Sequence, residues 1–558
     1  MRRFLLAMAL AVAVAPTPAR GQSTEASRLE LAGAAASARD LGATANWGTY
    51  SGDYSSTRYS RLDQVDTTNV GRLAMQWAFQ TGGALEATPL VLDGILYLAG
   101  ASSTAYALDA RTGRVIWHYR RNLPDKLPLC CGQDSRGLAV LSEKVYLGTL
   151  DAHLVALDAK TGSVLWDVEA AEFRKGYSFT VAPLIVKDKV VVGISGAEYG
   201  IRGFIDAYDA KTGRRAWRFH TIPGPGEPEN DTWKGNSWEK GGGSAWVTGS
   251  YDPEVDLIYW GVGNPAPALY GDDRGGDNLY TDAVVALDSD TGELRWHYQF
   301  TPHDVHDWDA AQAIVLLDFE MDGAPRKLLA QANRNGFFYV LDRTNGAFLH
   351  AKPFAKVTWA SEVRADGRPV VLPGTDPSPE GTYVCPGLGG ATNWHSPSFH
   401  PATGLVYVTV MEECNTFYSS PTPYREGLLY IGSASLGVPK ERGRGAVRDR
   451  PAHGKGCLGV RPALPRLRKH PRDRRWPRLR GQRRGLPYRV RRAHGKAPVE
   501  RPAGWRCLRR ADDVRGQRKA VRRSRRGERR IRVRPSGPRA AKARAGCEPG
   551  ALRRVRNS

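Results

Sequence analysis

Short runs of alternating apolar and polar residues recur along the first 350 residues, and several end in one shared phrase. YALDARTGRVIW starts at Tyr106, VALDAKTGSVLW at Val155, DAYDAKTGRRAW at Asp206 and VALDSDTGELRW at Val285, with a weaker copy, YVLDRTNGAFL, at Tyr339. Each phrase predicts a strand, a tight turn on Asp-x-x-Thr-Gly and a second strand ending in Trp, which is a hairpin. Further predicted strands lie between the copies: GILYLAG from Gly94, KVYLGTL from Lys144, KVVVGIS from Lys189 and LIYWGVG from Leu257. The turn Asp of each phrase falls at 109, 158, 209, 288 and 342, a period near fifty with one long insertion. A four-stranded unit repeated at this period predicts an all-β propeller, whereas a β-sandwich would lack the period. Trp117, Trp166, Trp217 and Trp296 are then expected to pack between blades rather than touch a ligand.

The pattern stops near Val447, and charge changes there too. Length alone, 558 residues, allows one to four domains. The net charge of +23 suggests an anionic partner. From Arg448 to Ser558, however, 39 Lys and Arg face 7 Asp and Glu, a charge of +32, while everything before carries −9. The body is mildly acidic and the basic character belongs to the tail, in which no alternating strand or apolar helical face persists.

A disordered basic arm for nucleic acid is one reading of that tail. An out-of-frame translation is preferred. AHGK occurs at 452–455 and again at 493–496, a blade-like distance apart. Shifting those codons by one base permits x-T-G-K whatever the wobble bases. The wider frames permit A-I-D-P-x-T-G-K and D-A-x-T-G-K-P-L-W, so the lost repeat phrase reappears and no nucleic-acid partner is expected. The chain as written would then lack about two blades and the ring closure, and an open ring exposes unpaired edges.

The first residues, MRRFLLAMALAVAVAPTPARGQS, carry Arg2 and Arg3 ahead of an apolar run from Phe4 to Ala15 and small residues near Gly21, the build of a secretory signal. That run is too short to span a membrane comfortably, and stable membrane insertion is not expected. Export to an oxidising compartment suits the even set of cysteines in the body, Cys130, Cys131, Cys385 and Cys414. The expected division is a signal over 1–21, a propeller of about six blades over 22–447 and an Arg-rich, disordered, out-of-frame tail over 448–558.

The segment CCGQDSRGLAV from Cys130 carries a resemblance that SGAEYG, GVGNPAP, TPHDVHDWDA, ANRNGFFYVLD and GATNWHSP share. Over roughly residues 40–447 the chain resembles the periplasmic pyrroloquinoline-quinone (PQQ)-dependent alcohol and methanol dehydrogenases. The resemblance implies an eight-bladed propeller, incomplete here, with the quinone on its central axis. It implies a vicinal disulfide, Cys130 with Cys131, against one face of the quinone and Trp246 over the other. Quinone contacts carried over on matching motifs are Glu86, Arg136, Thr180, Ser195, Gly196, Ala197, Ser244, Arg334 and Asn393.

Metal ligands implied in the same way are Glu198, Asn264 and Asp307, with Asp307 also the catalytic base. An all-oxygen set points to a hard cation, calcium or a lanthanide, and away from zinc. Asp309, two positions past Asp307, favours the lanthanide, since a trivalent ion gains from another anionic ligand; a second-layer or surface carboxylate is the plainer alternative. His306 and Trp308 depart from the family pattern, which has Trp and Tyr there. The implied reaction is oxidation of a small primary alcohol, with electrons passed to a separate cytochrome c. No Cys-x-x-Cys-His motif is present, so a haem on this chain is not expected. The resemblance leaves room for a homodimer. A non-catalytic propeller scaffold is one rival reading, and it needs no metal carboxylates; an inactive product of a broken gene for such a dehydrogenase is the other, since the chain as written is expected to fold poorly and to bind quinone weakly.

Overall fold

The computed structural model describes residues 46–321, 324–437, 456–460 and 491–492. The chain forms two compact units, 1–494 and 495–558; the second unit, the expected signal at 1–21 and most of the Arg-rich region lie outside the described residues. Among the described residues no helix is long and apolar enough to cross a membrane.

Five four-stranded antiparallel sheets follow one another, each a simple meander. Blade 1 runs through Leu90–Leu92, Ile95–Gly100, Thr104–Asp109 and Val115–Arg120. Blade 2 comprises Ala139–Leu141, Lys144–Gly148, His153–Asp158 and Val164–Glu169. Blade 3 comprises Leu184–Val186, Lys189–Gly193, Phe204–Asp209 and Arg215–His220, and blade 4 Ser250–Asp252, Leu257–Gly261, Ala283–Asp288 and Leu294–Gln299. Blade 5 is built from Val315–Met321, Ala324–Ala332, Phe337–Asp342 and Phe348–Pro353. This is the all-β propeller that the period near fifty predicts.

A sixth sheet begins with Ser398–His400 and Leu405–Val410 and takes its remaining strands, Gly456–Val460 and Arg491–Arg492, from the Arg-rich region. Gly456–Val460 pairs antiparallel along Leu405–Val410.

The repeat phrase spans the third and fourth strands of each blade, and its Asp closes the turn locally. Asp109 Oδ1 accepts the backbone N–H of Arg111 and Thr112 and the Thr112 hydroxyl, and Asp158, Asp209 and Asp288 repeat the arrangement. A bulge at the same place in every blade sets Trp117, Trp166, Trp217 and Trp296 opposite Ala107, Ala156, Ala207 and Ala286.

Each indole then meets the turn glycine of the next blade. A Cβ on Gly162, Gly213, Gly292 or Gly346 would lie within 2.9 Å of the Trp before it. Trp117 Nε1 also donates to Ala159 O at 2.8 Å, and Trp217 Nε1 to Ser289 O at 3.2 Å. The four indoles pack between blades, as the repeats predict.

Trp77 makes the same lock onto blade 1, donating to Ala110 O at 3.2 Å beneath Gly113, although no Asp-x-x-Thr-Gly turn precedes it. The segment around Trp77 thus packs on the first repeat turn as the repeat indoles do on the later ones. Leu73 and Met75 beside Trp77 are exposed.

Candidate active site

In a four-stranded meander the loops joining strands two and three leave at the same end as the crossings to the next blade. The Asp-x-x-Thr-Gly turns occupy the other end. Nearly all the sequence-predicted site residues fall in the first class of segment. Cys130, Cys131 and Arg136 lie between blades 1 and 2, Thr180 between blades 2 and 3, and Ser244 and Trp246 between blades 3 and 4. Asp307 and Asp309 lie between blades 4 and 5, while Ser195–Glu198, Asn264 and Arg334 sit in strand-two-to-three loops. Backbone bonds stitch these segments together: Thr88 N–H donates to Arg136 O at 3.0 Å, Arg136 N–H to Thr180 O at 2.9 Å and Ser195 N–H to Ser178 O at 2.8 Å.

They enclose a cavity of about 360 Å³. Its wall includes Glu86, Cys130, Cys131, Arg136, Thr180, Ser195, Gly196, Glu198, Ser244, Trp246, Asp307, Asp309, Arg334 and Asn393. Two expected contacts are not on the wall. Ala197 is fully buried behind it, its N–H donated to Ser244 Oγ at 2.8 Å. Asn264 is also buried; its backbone N–H donates to Asp309 Oδ1 at 2.9 Å and its side-chain amide to Pro265 O at 2.9 Å.

Cys130 and Cys131 are bonded to each other and exposed, and Cys385 pairs with Cys414. Both Sγ atoms of the vicinal pair and a Glu198 carboxylate oxygen lie within 4.8 Å of one another. The Arg136 guanidinium lies 4.4 Å over the Trp246 ring and 2.8 Å from Glu86. Thr180 and Ser195 hydroxyls share a hydrogen bond of 2.9 Å.

The acidic side holds Glu198, Asp307 and Asp309 around one buried cation. Arg334 donates to Asp309 through Nη1, reaches Leu388 O at 2.6 Å and lies 3.6 Å from Asp307. Both Asp309 oxygens are therefore already engaged, and the residue is buried, which removes the surface alternative for it.

Burial pushes the Glu198 carboxyl up to about 7, with the Asp309 charge adding to the rise and Arg334 opposing it. Burial also holds Asp307 well above the carboxylate range, against the pull of Arg334 and with the push of Asp309 and Glu198. Asp282 nearby is likewise raised by burial, and neither of its carboxylate oxygens has a hydrogen-bond partner. Carboxyls this costly to ionise mark a place where a bound cation would be compensated.

The cavity suits a planar polyanion beside a hard cation. Its ring-bearing wall is Trp246, its donors include Arg136, Arg334 and the hydroxyls, and the buried Nε atoms of Arg136 and Arg334 have no hydrogen-bond partner. Several wall residues went unmarked in the sequence: Leu129, Asp134, Tyr199, Leu388 and Trp394. Asp134, Tyr199 and Trp394 had a visible signal, lying within CCGQDSRGLAV, SGAEYG and GATNWHSP.

Residues 47–366 match the family model described as the PQQ glucose/ethanol/alcohol dehydrogenase β-propeller domain. The quinohemoprotein alcohol dehydrogenase ADH IIB of Pseudomonas putida is 43% identical over 384 residues, 66% of this chain and 56% of that protein. The quinoprotein alcohol dehydrogenase PedH, from a strain of the same species, is 39% identical over 404 residues, 67% of this chain and 68% of that protein. A solved europium-containing methanol dehydrogenase superposes with a TM-score of 0.70 at 35% identity, over 75% of this chain and 76% of that one. The chain spans just over half the length of several of these relatives, 56% for the first and 54% for the related enzyme of Comamonas testosteroni. By the match across its first five blades and by these identities, the chain belongs to the PQQ-dependent alcohol dehydrogenase family of β-propellers.

Proposed function

We propose that this protein oxidises a small primary alcohol to its aldehyde in the periplasm, with PQQ and one hard cation in the cavity, and hands the electrons to a soluble cytochrome c. The observation that carries the reading is the meeting of Glu198, Asp307 and Asp309 with Arg334 in one cavity that Cys130–Cys131 and Trp246 also line. A scaffold has no use for buried carboxyls whose ionisation burial opposes.

When bound, PQQ supplies the two-electron acceptor for the hydride and the cation supplies Lewis-acid polarisation. Arg136, Arg334, Thr180, Ser195, Ser244, Asn393 and the backbone at Gly196–Ala197 would hold the carboxylates and carbonyls of the quinone, with Glu86 fixing Arg136. Trp246 and the Cys130–Cys131 ring would restrict it to one plane. Glu198, Asp307 and Asp309 would ligate the cation, and Asn264 would join by turning its amide from Pro265 O. We favour a lanthanide over calcium on the count of carboxylates. Asp307 takes the alcohol hydroxyl proton on a carboxylate oxygen, as a half-buried general base whose ionised form a neighbouring cation would favour. The signal-like residues 1–21 support export.

The tail from Arg448 supports a second element of the proposal, that the reading frame is broken near Val447 and that the intact gene encodes the remaining blades. The decisive experiment reconstitutes the full chain with PQQ and either CaCl2 or LaCl3 and follows alcohol-dependent dye reduction. Activity of the frame-restored form that Asp307→Asn abolishes while PQQ still quenches tryptophan fluorescence, with weaker quinone binding by the chain as written, is the expected result. PQQ binding with no alcohol-dependent reduction, in both this chain and its frame-restored form, would overturn the reading.

A further inference from the structure

Asp307 occupies a backbone conformation that residues other than Gly seldom adopt, although Asp tolerates it better than most. Its φ is +63°, in the left-handed region where a Cβ crowds the following carbonyl. Such a conformation persists only if the surroundings over-determine it.

We propose that Asp304 is the positioning residue that holds Asp307 in this conformation and so keeps its carboxylate at the cavity. The inference rests on the reading of Asp307 as the base. Asp304 is fully buried, and its two oxygens grip the amides on either side of Asp307: Oδ1 accepts His306 N–H at 3.1 Å and Oδ2 accepts Trp308 N–H at 2.9 Å. The loop is thereby wrapped around one carboxylate, with Asp307 at the outward bend.

The grip is anchored at both ends. Arg274, fully buried, donates Nη2 to the Asp304 carbonyl, Nη1 to Asn278 Oδ1 at 2.6 Å and Nε to Pro267 O at 3.3 Å. His306 Nε2 lies 2.9 Å from Thr375 O, and its ring stacks on Trp308 at 4.3 Å. Trp308 Nε1 donates to Gly387 O at 3.0 Å. Residues 306 and 308 are thus fixed through side chain and amide alike, whereas the one ion pair of the Asp307 side chain among the described residues is with Arg334, at 3.6 Å. Two acceptor oxygens are needed at position 304. Asn supplies one and sets an NH2 against the other amide; Ala supplies none.

The test uses the full chain with PQQ and LaCl3, comparing Asp304→Ala and Asp304→Asn. Expected is a fall in kcat per bound quinone of about 100-fold for Ala and less for Asn, because a displacement on the order of 1 Å at a reacting group has that effect. The KM for alcohol and the quinone Kd, from tryptophan quenching, stay within about threefold. A second readout needs no turnover: the folding equilibria of Asp307→Gly and Asp307→Ala, from urea unfolding. With Asp304 present, Gly is favoured over Ala by about fivefold or more, since only Gly is free of the left-handed penalty; in the Asp304→Ala or Asp304→Asn background that preference shrinks or inverts. A Gly preference that survives loss of Asp304 overturns the proposal, as does a kcat loss matched by an equal loss of quinone affinity. If no variant turns over alcohol but the Gly preference still depends on Asp304, the positioning role stands and the alcohol-oxidation reading falls.

Discussion

Replacing Glu198 by Gln should remove a specific pH dependence of stability. Burial raises this carboxyl from 4.5 to about 7 in the folded protein. A group that binds its proton more tightly when folded contributes stability that is complete below pH 4.5 and is lost as pH rises through about 7. At 1.36 kcal/mol per pH unit the full gap corresponds to roughly 3 kcal/mol. Because Glu198 still faces an open cavity, solvent screening reduces this to about 1.5–3 kcal/mol. Urea unfolding of the full chain without added metal, from pH 5 to pH 8, should therefore show the parent losing that much stability relative to Glu198→Gln. Added LaCl3 should reverse the loss at pH 8 and have little effect at pH 5, since cation and proton compete for the same oxygens. Identical pH slopes for parent and Glu198→Gln would refute the argument.

Three further outcomes follow from the geometry. Gly292→Ala should destabilise by about 2–4 kcal/mol in urea unfolding, because φ is +74° and the new Cβ would lie 2.5 Å from Trp217. Asp309→Ala should lower the affinity for La³⁺ about tenfold more than that for Ca²⁺, both by calorimetry, if Asp309 is an anionic ligand; equal losses would mean that it acts only through Arg334. Restoring the frame by one base near codon 447 should raise both the melting temperature and the quinone affinity, because the missing blades would close the ring and cover its open edges; unchanged values would mean that the Arg-rich tail is the native one.

The repeat phrases were legible because their chemistry is local. Asp109 and its counterparts bond amides two and three residues onward, so Asp-x-x-Thr-Gly specifies its own turn, and the spacing of turns specifies the blade. The same holds for the indoles, whose place at the end of the phrase marks them as the blade-to-blade lock. Trp77 escaped notice because no turn precedes it, and its role appears only where Gly113 packs above it.

The site divides along a similar line. Motifs carried by resemblance marked most of the cavity wall, but not that Ala197 and Asn264 stand behind it, since the direction of an amide depends on what packs against it. Nor could sequence relate Asp304 to Arg274, thirty residues away, or leave Asp282 buried with neither oxygen hydrogen-bonded. Bonds over two to four residues are written in the order of amino acids. The convergence of Glu198 with Asp307, Asp309 and Arg334, more than a hundred residues further along the chain, exists only once the propeller brings one end of every meander to the same place.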